Sequence, residues 1–221
     1  MSSDFVCHGS DKKDGLMTSS MKSPKVFVWV AHPKPNSLCG GIADAYQASA
    51  EAGGAQVRRM DLHAMHFDTA FQGYESNHAA LEPDLARWQE NVRWADHIFI
   101  VHPCWWGTMP AQAKAVFDRA LLPGFGFKFT GDGSKWDRLL AGKTADVIMT
   151  SDTPPILDTL LYAGSGRRLV KKQILEFCGI KPNSIRQFGS VKVSSPEKRQ
   201  GWLNKAGAMG AQAAQCLVEA A

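Results

Sequence analysis

The sequence predicts an α/β domain: five strands in one parallel sheet, ordered 2-1-3-4-5, with helices on both faces. Three observations predict it. Runs of β-branched, aromatic and apolar residues at 25–30, 97–102 and 144–151 have the length and continuity of strands buried on both sides. Each run empties into a long polar loop and then a helical segment, so strands and helices alternate along the chain. No internal repeat or low-complexity tract competes with this pattern. With 221 residues, 44% of them hydrophobic, the chain can bury one sizeable core. One domain is expected over residues 24–221, preceded by a flexible leader.

The leader, 1–23, is polar, rich in Ser and Lys, and aperiodic, and Met17 or Met21 can serve as the functional start. Strand one, 25–30, runs into Ala31-His32-Pro33-Lys34-Pro35-Asn36-Ser37-Leu38-Cys39-Gly40-Gly41. A helix is expected over 37–52, capped by Asn36 or Ser37, with Leu38, Ile42, Ala45, Tyr46 and Ser49 on one stripe. Strand, polar loop and capped helix form a phosphate site by geometry, because the unbonded N–H groups of the first turn and the positive helix end attract an anion. His32 adds a side-chain donor. The loop is neither a Walker motif nor GxGxxG, and an ordinary capped helix has the same pattern. Gly53-Gly54 ends the helix, and 55–62 reads as an edge-like strand. The segment 63–84 is loop-rich. Its His63, His66 and His78 have no Cys or carboxylate at ligand spacing beside them, so no metal is expected. A helix over 83–95 carries Leu85, Trp88, Val92 and Ala95 near one face.

Strand three, 97–102, is stopped by Pro103 and followed by Cys104-Trp105-Trp106-Gly107-Thr108-Met109-Pro110-Ala111. In open parallel sheets ligands sit outside the carboxyl ends of strands. Two tryptophans, and a glycine that allows close approach, suit a flat aromatic ring there. A helix follows over 111–122. Pro123-Gly124-Phe125-Gly126-Phe127-Lys128-Phe129 then reads either as a packed Ω-loop or as a mobile aromatic wall over a ring. Strand four, 144–151, ends in Asp152-Thr153-Pro154-Pro155, and a helix is expected from there through Arg168 to Phe177. The last strand is expected at 185–193 and the last helix at 196–219. The 2-1-3-4-5 order brings loops 31–40, 103–109 and 150–155 together at the β1/β3 switch point, where flavin mononucleotide sits in that topology.

Composition excludes several classes. A formal charge of +4 is mild, and no basic run is interleaved with aromatics, which argues against nucleic acid. No window approaches the apolar length of a membrane span, and the N-terminus lacks the apolar core of a signal peptide. The five cysteines, Cys7, Cys39, Cys104, Cys178 and Cys216, are scattered and without CxxC pairing, which fits a reducing compartment and a cytoplasmic protein.

Over roughly residues 25 to 205 the chain resembles the flavodoxin-like NAD(P)H:quinone oxidoreductase family, which includes DT-diaphorase-type enzymes and ancillary quinone reductases of potassium-efflux systems. The block Pro103-Cys104-Trp105-Trp106-Gly107-Thr108-Met109-Pro110-Ala111, with Lys114 and Phe117-Asp118-Arg119, carries the resemblance. Ala31-His32-Pro33 with Ser37-Leu38-Cys39, Pro123-Gly124-Phe125-Gly126-Phe127 and Glu176-Phe177-Cys178-Gly179 support it. The resemblance implies a flavin, FMN or FAD, with NADPH or NADH as hydride donor. It implies that His32, Ser37, Leu38 and Cys39 hold the cofactor phosphate and that Pro103, Cys104, Trp105, Trp106 and Gly107 lie along the ring. Thr150, Ser151, Asp152 and Thr153 would border its pyrimidine end, and Phe125, Gly126 and Phe127 would line the substrate side.

The sequence departs from the family in two places. The paired glycines usual after strand four are replaced by Asp152-Thr153-Pro154-Pro155, and no histidine follows His102. Two prolines donate no N–H, so ring contacts there fall to Ser151, Asp152 or Thr153. Tyr162 is the candidate for the missing proton donor, with water as the other source. The expected activity is a two-step hydride transfer from NAD(P)H through bound flavin to a quinone or similar flat electrophile. Cys104 reads as packing or a backbone contact, since no base accompanies it in the motif. Three other readings share the fold: an azo- or nitro-reductase, a flavodoxin-type electron carrier, and an ancillary subunit of a potassium-efflux transporter. A homodimer is expected, the partner roofing the substrate pocket.

Overall fold

Segments of Val, Ile, Phe and Trp that are apolar at every position can be satisfied only in strands covered on both faces. The computed structural model shows this arrangement and describes residues 23–71, 73 and 80–219. Most of the expected leader, with Cys7, Met17 and Met21, and also His78, lie outside the described residues. In chain order the elements are β1 (Lys25–Val30), α1 (Leu38–Ala52), β2 (Gln56–Asp61), α2 (Pro83–Trp94), β3 (His97–Pro103) and α3 (Ala111–Ala120). There follow β4 (Phe127–Thr130), β5 (Lys135–Arg138), β6 (Thr144–Thr150), α4 (Pro155–Tyr162) and α5 (Ser165–Leu169). A π-helical turn (Val170–Leu175) leads into α6 (Glu176–Cys178), β7 (Lys181–Phe188) and α7 (Pro196–Glu219).

The main sheet has the order β2-β1-β3-β6-β7, all neighbours parallel, which is the expected 2-1-3-4-5 order. Alternate residues of each strand serve opposite layers. Val26, Val28, Val30, Phe99, Val101 and Ile148 pack with Ile42 and Tyr46 of α1 and with Trp202 and Met209 of α7. Phe27, Trp29, Ile98, Ile100 and Val147 pack with Leu85 and Trp88 of α2, Phe117 of α3, and Val170 and Leu175. In that second layer Trp29 meets Trp88 and Phe117 edge-on, at 5.5 and 5.1 Å between ring centroids. No helix among the described residues is long and apolar enough to cross a membrane.

Buried polar groups at the amino end of the sheet satisfy one another. The Tyr46 hydroxyl donates to Asp146 at 3.1 Å and lies 2.9 Å from His97 Nε2, while His97 Nδ1 lies 2.7 Å from Thr144 Oγ1. This network joins α1 to β3 and β6 at the end of the sheet remote from the loops of interest.

Three local features differ from expectation. Phe127–Thr130 and Lys135–Arg138 pair as an antiparallel hairpin outside the main sheet, turned at Gly131 and Gly133 with positive φ. The expected single helix through Arg168 to Phe177 is broken at Ala163 and Gly164, both left-handed. The last strand is Lys181–Phe188 and not 185–193. It starts at an edge where Pro182 is tolerated, and it ends because the chain turns at Ser190 with φ 62°.

Candidate cofactor site

Where β1, β3 and β6 end, their loops enclose a cleft of about 360 Å³. His32, Lys34, Asn36, Ser37, Leu38 and Cys39 line it from the first loop, and Pro103, Cys104 and Trp105 from the second. Thr150, Ser151 and Asp152 come from the third, with Val191 from the turn after β7. Ten of the thirteen expected cofactor residues therefore meet in one cavity, drawn from three distant stretches of sequence.

The first loop is built for an anion. Ser37 caps α1, its Oγ accepting from Gly40 N–H at 3.2 Å, and no acidic residue stands in the first turn. The amides of Leu38 and Cys39 have no hydrogen bond among the described residues and sit at the positive helix end. His32 Nδ1 accepts from the Lys34 amide at 3.0 Å, which puts the ring proton on Nε2 as a further donor. Burial, then the charges of Lys34 and His63, hold the His32 pKa below its ordinary value. The donor set is thus N–H and O–H groups with no carboxylate, the chemistry a phosphate dianion requires. Lys34, absent from the expected residues, adds charge at this end; it was visible in the loop between two prolines.

The second loop makes a wall. Trp105 N–H donates to Thr108 O at 2.8 Å and Thr108 N–H returns to Trp105 O at 3.2 Å. Trp106 and Gly107 between them have φ of 52° and 82°, so both central positions have the positive φ of a type I′ turn. A tryptophan in that conformation costs about 1–3 kcal/mol. Trp105 meets the edge of His32 at 5.7 Å, joining the wall to the anion end. The loop rests on α5: a Cβ built on Gly166 would stand 2.4 Å from Gly107 O.

Trp106 and Gly107 do not line the cleft. Trp106 is fully exposed, at 103%, so it is neither a core residue nor part of the cavity wall. Thr153 is also outside the lining. The third loop offers fewer donors than expected. Ser151 N–H is committed to Phe188 O, and its hydroxyl donates to Thr153 O, leaving the amides of Asp152 and Thr153. Val191 closes that end, its N–H bonded to Ser151 O; 191 had been expected inside a strand.

Phe125, Gly126 and Phe127 lie away from the cleft. Phe125 is buried in the α2/α3 layer with the Arg93 guanidinium 4.6 Å from its ring, and Gly126 abuts Cys178. Phe127 lines a separate apolar groove of about 780 Å³ with Phe129, Phe177, Leu121 and Ile174. Tyr162, the candidate proton donor, is exposed at the end of α4 and does not line the cleft.

Both cleft thiols are pushed towards the protonated form. Burial pushes the Cys39 pKa up to about 12, and its Sγ lies 3.5 Å from Thr150 Oγ1. Burial and the charge of Asp158 raise that of Cys104. Directly beneath the second loop, His102 is wholly buried, with Nδ1 2.9 Å from Pro103 O. That carbonyl only accepts, so Nδ1 carries the proton and Nε2 has no partner. Burial depresses its pKa to about 4. The unfolded chain binds this proton near the ordinary 6.5, so stability present above pH 6.5 is lost as pH falls towards 4, by up to roughly 3 kcal/mol. Urea unfolding of the cofactor-free protein across that range is expected to show this slope, and His102→Gln to flatten it.

A family model described as flavodoxin-like fold matches residues 24–209. The chain belongs to this flavodoxin-like family. Human ribosyldihydronicotinamide dehydrogenase (quinone) is 26% identical over 207 residues, spanning 83% of this chain and 89% of that protein. The crystal structure of Smu.1420 from Streptococcus mutans is 28% identical, with a TM-score of 0.74 over 85% of this chain and 99% of that one. NAD(P)H:quinone oxidoreductase from Methanothermobacter marburgensis, 21% identical, shares the fold with a TM-score of 0.72 over 86% of this chain and 98% of that one. The cleft of this flavodoxin-like chain lies at the switch point between β1 and β3, where ligands bind in the topology.

Proposed function

We propose that the protein is a flavin-dependent NAD(P)H oxidoreductase that delivers hydride to a quinone or similar flat electrophile. The observation that carries this reading is one cleft with a carboxylate-free set of phosphate donors at one end and an aromatic wall beside it. Flavin, when bound, supplies the hydride relay between nicotinamide and acceptor. The chain's own residues hold and orient it. Ser37, the Leu38 and Cys39 amides, and His32 Nε2–H would take the phosphate; Pro103, Cys104 and Trp105 would flank the ring; the Asp152 amide would meet its pyrimidine edge. Tyr162 stands outside this cleft and the nearby thiols hold their protons, so water supplies the proton for the acceptor. Azo- and nitro-aromatics have the same flat shape and serve as acceptors in the same reading. Releasing the cofactor from purified protein and separating it by chromatography tests the assignment and chooses FMN or FAD. A colourless protein that takes up neither flavin contradicts it.

The acceptor side is completed by a second copy in this reading. Ile156, Leu157, Leu160 and Leu161 of α4 are exposed together, and Trp106 stands free nearby, because α5 packs on Gly107. Apolar surface of this kind is seldom left in water. Phe127 and Phe129, remote from their own cleft, reach a ring only from the partner. Leu160→Glu is expected to give a monomer by sedimentation that keeps flavin and loses most quinone turnover. Trp106→Ala is expected to shift unfolding by less than about 0.5 kcal/mol, as an exposed side chain should, while lowering turnover. A fully active monomer at micromolar concentration contradicts the dimer.

A further inference from the structure

We infer that the groove under the break between α4 and α5 is a second anion site, built to hold a phosphate monoester. The groove has a volume of about 380 Å³ and is lined by Arg167, Arg168 and Lys171, with Thr159, Asn183 and the Ala163-Gly164 turn. Three cations line it and no carboxylate does. Arg168 and Lys171, three residues apart on one helical face, repel each other when nothing lies between them. Arg168 has no ion-pair partner among the described residues. Lys171 reaches Glu176 only at 3.9 Å, and Glu176 is held more closely, at 2.8 Å, by Lys172.

Arg167 shapes the floor. Its Nη2 donates to Asp158 at 3.0 Å and to Thr159 Oγ1 at 2.8 Å, while its Nε is buried without a partner. Gly164 lets it lie flat, since a Cβ there would stand 2.9 Å from Nη2. Asp158 thus neutralises Arg167, and the positive charge of Arg168 and Lys171 remains for a ligand. A guanidinium and an ammonium lining one concavity, with the Asn183 amide beside them, match the several acceptor oxygens of a phosphate monoester; the Thr159 hydroxyl is already committed to Pro155 O and helps only to hold Arg167.

The site is separate from the cofactor cleft. α4 begins at the cleft rim, after Asp152 and Thr153, and runs for about 12 Å to the groove at its far end. Two sources carry the required chemistry: the 2′-phosphate of NADPH reaching down from the cleft, or a free phosphorylated metabolite. The first source rests on the proposed oxidoreductase reading; the site itself does not.

The test measures binding of inorganic phosphate and of 2′,5′-ADP by calorimetry to the full chain preincubated with saturating flavin, so that the phosphate donors of the cleft are taken, for wild type, Arg168→Ala, Lys171→Ala and the remote control Lys205→Ala. The three substituted positions are exposed or half-exposed, so folding is retained. Binding is expected in wild type and control, weakened about tenfold by either groove substitution and by raised salt. The Michaelis constants for NADPH and NADH are then compared. A rise confined to NADPH in the groove variants identifies the nucleotide 2′-phosphate as the occupant; unchanged constants with weakened phosphate binding identify a free phosphate monoester. If neither nucleotide is oxidised, the oxidoreductase reading fails while the calorimetry still decides the site. Absence of binding in wild type, or binding that survives both substitutions, overturns the inference.

Discussion

The Ser37→Asp protein is expected to fold normally and to purify without flavin. Asp caps helices as well as Ser, so α1 keeps its first turn and the α1 layer its packing. What changes is charge. A carboxylate now stands at the helix end where the phosphate dianion must sit, among donors that no other acidic residue in the first turn competes for. One pair of like charges at about 4 Å costs about 4 kcal/mol at the effective dielectric of a protein surface, which corresponds to roughly a thousandfold in affinity. Ser37→Asn, a neutral cap, is the control and should retain flavin. Flavin content equal to wild type in Ser37→Asp would show that the phosphate lies elsewhere.

Gly166→Ala is expected to reverse the usual sign of a helical Gly→Ala change. Alanine normally favours a helix over glycine by about 1 kcal/mol. At Gly166 the new methyl would lie 2.4 Å from Gly107 O and 3.5 Å from Met149 Sδ, so the turn carrying Trp105 and Trp106 must move away. Overpacking of this kind costs about 1–3 kcal/mol. Displacing the turn also carries Trp105 off the cleft, so flavin affinity should fall with stability. Gly201 in α7 has nothing within 4 Å of the position a methyl group would take, and Gly201→Ala should stabilise. Urea unfolding of the two variants side by side checks the contrast; equal stabilisation would mean that α5 does not support the loop.

The sheet was legible in sequence because strands buried on both faces are apolar at every position, as Phe27-Val28-Trp29 and Ile98-Phe99-Ile100 are. Once strands and helices alternate, the connection rules leave few orders, and three long loops marked the switch point. Most of the cleft followed, since its residues sit at strand ends. The hairpin was less legible. Its signal, Phe127-Lys128-Phe129-Thr130 and Lys135-Trp136-Asp137-Arg138 about Gly131-Asp132-Gly133-Ser134, is a turn motif between alternating segments, obscured by the Pro123-Gly124 loop before it.

Trp106 illustrates a limit of adjacency. Two consecutive tryptophans suggest one shared surface, yet Trp105 flanks the turn and lines the cleft, while Trp106, the first of its two central residues, projects outward. Trp106 and Ala163 both have positive φ, a conformation that neither residue type announces. Phe125 and Phe127 were placed beside a ring by motif alone. In the fold, Phe125 is packed into the core and Phe127 lines a separate groove, so neither lines the cleft of its own chain.

The proposed function is a redox relay through a flavin held at the carboxyl ends of β1, β3 and β6. Its most direct test is the visible spectrum of the purified, flavin-loaded protein without oxygen. NADPH or NADH should bleach the flavin absorption, and a stoichiometric quinone added next should restore it, both within the turnover time. A bound flavin that neither nucleotide bleaches, or that stays bleached in the presence of quinone, would contradict the account.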